Sequence, residues 1–178
     1  MTHFAVSAIG SDRPGIVAAI TGVLLDLDGN VEDSRMTILR GQFAVMLIVS
    51  LPEPDREALG TGLERVREEL GLKAIVVSPV AEPEEGGGEP RPTHVITVYG
   101  ADHPGIVYSV TTELADRGVN ITDLQTKLGG TEDAPLYVML LEVELGNATA
   151  SEIEEALRGV GRSASVDVSL GELASEPL

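Results

Sequence analysis

The chain has 178 residues, no cysteine, and a formal net charge of -17 from 12 Lys and Arg against 29 Asp and Glu. Without thiols, a disulfide framework, a thiolate zinc site, an iron–sulfur cluster and a cysteine nucleophile are all excluded. The acidic balance, with no run of three basic residues, argues against direct contact with nucleic acid or an anionic membrane surface.

The apolar share of 43% is that of an ordinary globular protein. Met1-Thr2-His3 leads directly into Phe4 with no basic segment before it. The longest apolar stretch, Phe43 to Val49, is far short of a membrane span. The expectation is a soluble, cytoplasmic protein with no membrane association.

Weak alternation predicts a first strand over Phe4 to Ile9. A loop follows, then a helix striped by Ile16, Val17, Ile20, Val23, Leu24 and Leu27, stopping near Gly29. Strands are expected over Val31 to Leu39 and Phe43 to Leu51, joined by a turn at Arg40-Gly41-Gln42. A second helix runs from about Asp55 to Leu70, striped by Leu59, Leu63, Val66 and Leu70, and a strand over Ala74 to Val80 closes the unit.

After residue 81 the order repeats. Gly10-Ser11-Asp12-Arg13-Pro14-Gly15-Ile16-Val17 returns at an offset of 90 as Gly100-Ala101-Asp102-His103-Pro104-Gly105-Ile106-Val107. At the same offset Asp26 meets Asp116, Asn30 meets Asn120, and Asp33 meets Asp123. The second copy reads as strand Val95 to Tyr99, a helix striped by Ile106, Val107, Val110 and Leu114 up to Gly118, and strand Ile121 to Leu128. Then come a long turn from Gly129 to Pro135, strand Leu136 to Leu145, helix Ser151 to Val160, and strand Ser165 to Leu170. Such self-similarity marks two copies of one fold unit.

The order βαββαβ is the ferredoxin-like split βαβ unit, an α+β fold with a four-stranded antiparallel sheet and both helices on one face. The expected organisation is a first domain over 1–81, an acidic Pro/Gly linker over 82–92 that cannot bury a core, a second domain over 93–172, and a tail over 173–178.

The Gly-x-Asp-x-Pro-Gly loop joins the first strand to the first helix in both copies. Asp12 and Asp102 are expected to be helix N-caps, with Pro14 and Pro104 in the first turn. Gly15 and Gly105 carry no Cβ, so a ligand can approach the backbone. Unpaired N–H groups and the helix dipole favour a carboxylate there, by about 0.3–1 kcal/mol from the dipole. The second strand brings Asn30 and Asp33, or Asn120 and Asp123, which are expected opposite the loop. A carboxamide donates and accepts, and a carboxylate holds an ammonium. Together these groups suit a zwitterion. The alternative is that Asp-x-Pro-Gly is simply a good strand-to-helix turn.

These copies resemble ACT domains. The run Gly29-Asn30-Val31-Glu32-Asp33-Ser34-Arg35-Met36, after Asp12-Arg13-Pro14-Gly15-Ile16-Val17, resembles the glycine cleavage system transcriptional repressor family. The resemblance implies tandem regulatory domains without catalysis. Ligand sites would lie at the first strand–helix loop, often across an interface between ACT domains. It implies glycine or another small amino acid as effector, with output through contact with a DNA-binding regulator or a metabolic enzyme. Carried over residue by residue, the ligand-binding set is Asp12, Arg13, Pro14, Gly15, Ile16 and Val17 with Asn30 and Asp33. In copy two it is Asp102, His103, Pro104, Gly105, Ile106 and Val107 with Asn120 and Asp123. The Glu-Asp-Ser-Arg run is present only in copy one, and His103 replaces Arg13, so the two sites need not take the same ligand. A homodimer is expected, and no cofactor or metal.

The alternative is a ligand-independent interaction module. The copies also resemble the ACT segment of formyltetrahydrofolate deformylase, but the second half is another ACT-like copy and leaves no room for that catalytic domain. A regulatory subunit for such an enzyme stays as a lesser alternative. The three His, at positions 3, 94 and 103, include no nucleophile–base pair. His3 and His94 read as edge positions. His103 sits in the loop, either as a solvent-exposed loop residue or as a group whose titration near neutral pH makes affinity pH-sensitive.

Overall fold

A computed structural model of the chain describes residues 1–52, 55–80, 91–131 and 134–173. It divides into two compact units, Met1–Gly86 and Gly87–Leu178. Unit one comprises β1 (Thr2–Ser11), α1 (Ile16–Asp26), β2 (Asn30–Leu39), β3 (Gln42–Leu51), α2 (Arg56–Leu70) and β4 (Ala74–Pro79). Unit two comprises β5 (His94–Ala101), α3 (Ile106–Ala115), β6 (Asn120–Thr131), β7 (Ala134–Glu144), α4 (Ala150–Ala164) and β8 (Val166–Glu172). Most of the acidic Pro/Gly segment, and the tail from 174, lie outside the described residues.

Each unit holds one antiparallel sheet, ordered β2-β3-β1-β4 and β6-β7-β5-β8. Alternation along the strands turns one face to the helices. In unit one Phe4, Val6 and Ala8 of β1 and Phe43, Val45, Leu47, Val49 and Leu51 of β3 are buried there. Ile16, Ile20 and Leu24 of α1 and Leu59, Leu63 and Val66 of α2 close over them. Unit two repeats the arrangement with Ile96, Val98, Met139, Leu141 and Val143 beneath Ile106, Val110, Leu114, Ile153 and Leu157. Each such side chain contributes about 1.5–3 kcal/mol on burial, and the two separate clusters give each unit its own core.

Several boundaries depart from expectation for identifiable reasons. Val17 and Val107, expected on the buried stripe, are 41% and 38% exposed, because α1 and α3 bury only the line one turn apart through Ile16, Ile20 and Leu24 or its counterpart. At the end of α1 the left-handed residue is Asp28, with φ 52, and not Gly29; Gly118 takes that conformation in unit two. Gly29 is required instead for space, since a Cβ there would lie 2.5 Å from the Leu51 Cδ2. The long turn expected over Gly129 to Pro135 is mostly strand, because β6 and β7 stay paired as far as Thr131 and Ala134. Helix α4 continues past Val160 to Ala164, with Ser165 in the left-handed conformation closing it.

His3 and His94 are not at sheet edges, since β1 and β5 are central strands. The His3 Nε2 lies 3.2 Å from a Glu32 carboxylate oxygen. His94 stands at the register position of Phe4, on the helix-facing side.

The edge strands β2 and β6 carry a β-bulge at the same place, between Val31 and Asp33 and between Ile121 and Asp123. The extra residue reverses the alternation, so Asp33 and Asp123 face away from the helices although Val31 and Ile121 pack on the cores.

Helix α4 starts with a capping box. The Thr149 side chain accepts from the Glu152 N–H, and the Glu152 carboxylate accepts from the Thr149 N–H at 2.9 Å. The Thr149 hydroxyl and N–H hold the Glu152 carboxyl below the usual carboxylate range. Thr149→Ala is expected to lower the stability of unit two by about 1 kcal/mol, read as a lower urea midpoint with an unchanged slope.

Candidate functional site

The loop between first strand and first helix is built alike in both units. Gly15 and Gly105 adopt left-handed backbone, with φ 95 and 99, and these glycines are the N-caps. Asp12 and Asp102 therefore do not cap the helices, and Pro14 and Pro104 lie in the turn before the first helical residue. The left-handed glycine places the N-cap three residues after the aspartate and the helix start four after it, and among the described residues no side chain caps either helix.

The first helical acceptor is filled by the Ala19 N–H donating to Gly15 at 2.9 Å, and by Ser109 donating to Gly105 at 2.9 Å. The N–H groups of residues 16–18 and 106–108 precede it and have no helix carbonyl to donate to. Among the described residues nothing lies within 4 Å of the place a Cβ would occupy on Gly15 or Gly105, in the notch at each helix start. Ile16 and Ile106 have buried side chains and can offer only backbone.

Arg13 and His103 do not point into this notch. The Arg13 Nη1 donates to the carbonyl of Leu70, the last residue of α2, at 2.7 Å. The His103 Nε2 hydrogen-bonds to the carbonyl of Ala164, the last residue of α4, and its Nδ1 lies 3.2 Å from the Pro104 carbonyl. The Ala164 carbonyl first, then the Pro104 carbonyl and the Asp102 charge, hold the imidazole above its ordinary pKa of 6.5, against partial burial. Asp102 also adds to the effect of burial in raising the Tyr137 hydroxyl above 10.0. In unit one the Asp12 N–H donates to Gly41 at 2.9 Å, which ties the loop to the β2–β3 turn.

Asn30 and Asp33 are not beside the loop of their own unit. Asn30 pairs with Ser50, and Ser50 with His3, at the far end of β1 from Asp12. At about 3.4 Å per residue, the start of β2 is roughly 20–27 Å from the loop. Asn120 and Asp123 are placed likewise by their pairing with Glu144 and Glu142. The reason is topological: α1 runs back along the sheet, so β2 begins where β1 began. The Asp33 Oδ1 accepts from the Ser34 N–H at 2.7 Å, and the Asp123 Oδ2 from the Gln125 Nε2 at 3.0 Å. Each unit thus offers a notch at one end and an amide–acid pair at the other. Among the described residues, no cluster of three or more His, Asp or Glu is placed to hold a metal ion. No helix among them is long and apolar enough to cross a membrane.

ACT-domain models match residues 2–77 and 94–162. The chain belongs to the ACT-domain family. Over 162 residues it is 26% identical to the glycine cleavage system transcriptional repressor of Escherichia coli, covering 89% of this chain and 83% of that one. A UPF0237 protein of Methanopyrus kandleri is 45% identical over 78 residues, 43% of this chain and 87% of its own length. A crystal structure of an unknown protein from Galdieria sulphuraria has a TM-score of 0.84 and 31% identity, covering 97% of this chain and 99% of that one. The tandem ACT arrangement thus extends over almost the whole chain.

Proposed function

We propose that this tandem ACT protein is an amino-acid-binding regulatory protein, with glycine or another small amino acid as effector. The observation that carries the reading is the pair of uncapped helix N-termini behind left-handed glycines, at equivalent positions in both units. A carboxylate there meets three backbone N–H groups and the positive end of a helix dipole. The ammonium is held by Asp33 or Asp123 beside Asn30 or Asn120. These lie at the other end of their own unit, so a complete site needs the loop of one ACT module against the second strand of another, facing in opposite directions. A homodimer supplies the second module.

The output is contact with a protein, either a DNA-binding regulator or a metabolic enzyme, and not with DNA. The net charge of -17 and the E. coli relative support that choice. In this reading the protein regulates without catalysing and works in the cytoplasm.

Calorimetric titration of the full chain with the twenty amino acids tests the reading. Binding of a small amino acid with Kd in about the micromolar-to-millimolar range is expected, equivalent to about -8 to -4 kcal/mol. Asn30→Ala and Asn120→Ala should weaken it about tenfold without lowering the melting temperature, since both residues are exposed. No heat and no melting shift with any amino acid would leave an interaction module whose Pro-Gly loops are only turns.

A further inference from the structure

Positions 13 and 103 correspond at the repeat offset, and both side chains reach the same atom of the fold. Arg13 binds the carbonyl of the last residue of α2, and His103 the carbonyl of the last residue of α4. The helix after each carbonyl ends in a left-handed residue, Gly71 or Ser165. We propose that this side chain is a latch holding the strand–helix loop to the end of the second helix, at full strength at every pH in unit one and at full strength only on protonation in unit two.

The chemistry follows from donor counts. A guanidinium carries its donors at every pH a folded protein meets. A neutral imidazole has one N–H and one lone pair, yet both ring nitrogens of His103 face carbonyl oxygens, those of Ala164 and Pro104. Only the imidazolium satisfies both. In the neutral form one carbonyl confronts a lone pair, and the loop loses one of its two ties. The Ala164 carbonyl also lies at the negative end of the α4 dipole, which favours a cation there.

The charged groups nearest the latched ends of these elements are Asp102 in the loop itself, Arg158 and Arg162 in the last turns of α4, and Asp167 at the start of β8, with the phenol Tyr137 on β7. Arg158 is paired with Glu154 at 2.8 Å. It is Asp102 whose charge reaches the imidazole, and it favours the proton. The β6–β7 connection carries Glu132 and Asp133, which lie outside the described residues.

The sign is fixed by the raised folded value. The latch contributes fully below the unfolded histidine value of about 6.5 and is lost as pH rises through the folded one. If the loop receives an amino acid as proposed above, unit two alone binds more weakly as pH rises. That extension rests on the functional reading; the latch does not.

Hydrogen exchange of the full chain, with no amino acid added, tests the latch at about pH 5.5 and about pH 9, after correction for intrinsic rates. Protection of residues 102–106 and 161–166 should fall at least about threefold at the higher pH, while residues 12–16 and 67–72 stay unchanged. His103→Arg should make unit two as indifferent to pH as unit one. Arg13→His should transfer the dependence to unit one. Equal protection at both pH values in the wild type, a dependence that survives His103→Arg, or an Arg13→His chain with an indifferent unit one would each overturn the proposal. Loss of amino-acid binding, with the exchange pattern as expected, would overturn the functional reading and leave the latch standing.

Discussion

Gly161→Ala is expected to destabilise unit two by about 1–3 kcal/mol. A Cβ at this position would lie 2.8 Å from the Val166 carbonyl oxygen, a backbone atom that cannot swing aside. Gly161 is buried near the end of α4, and Val166 opens β8, which pairs with the central strand β5. Making room for a methyl group means moving the helix off the strand or breaking the first β5–β8 pairing. Ordinarily glycine to alanine inside a helix gains about 1 kcal/mol, so the sign here is reversed by the close approach. Gly159, two residues earlier, is the control: nothing lies within 4 Å of its Cβ position, and Gly159→Ala should stabilise. Urea unfolding of the two variants should move the midpoint in opposite directions. A Gly161→Ala chain as stable as wild type would show that β8 does not need this contact.

His94→Phe is expected to stabilise unit two by about 1–3 kcal/mol, a rise of roughly 5 °C or more in its melting temperature. The His94 Nε2 is buried with no hydrogen-bond partner among the described residues, while its Nδ1 pairs with the Thr93 Oγ1 at 2.9 Å. A buried polar atom without a partner has given up water and received nothing in exchange. The equivalent position in unit one is Phe4, which is 3% exposed and part of the core. The substitution restores to unit two the apolar ring that unit one already tolerates. Calorimetric melting of the variant should show the gain confined to unit two. An unchanged or lowered transition would mean that Nε2 has a partner in solution.

The periodic parts of the fold were legible because packing enforces them. Phe4, Val6 and Ala8 alternate since β1 is covered on one face only, and Ile16, Ile20 and Leu24 recur because α1 lies on that face. Repetition at an offset of 90 then carried the reading into unit two. What escaped depends on where the chain runs after each element. An aspartate before Pro-Gly looks like a cap, but the left-handed glycine between it and the helix takes that role. Asn30 follows the helix closely in sequence, yet the helix carries the chain back along the sheet before β2 begins. Arg13 and His103 share a hydrogen-bonding capability that their position in a candidate ligand loop disguised. The available signal was a donor side chain at one position in both copies, which suits a common structural acceptor as well as a ligand. The last helix is expected to end at Val160 but runs on through Gly161 to Ala164, and the need for glycine there comes from β8, five residues downstream.

The bulge between Val31 and Asp33 recurs between Ile121 and Asp123, although the extra residue itself differs, Glu32 in one and Thr122 in the other. An insertion at the same rung of two ladders is more economically inherited once than acquired twice. The kink is then ancestral to the doubling of the gene, and the exchange between guanidinium and imidazole came afterwards. The two copies thus keep one skeleton and differ in the side chain that ties the loop to the second helix, a fixed cation in one and a titratable ring in the other.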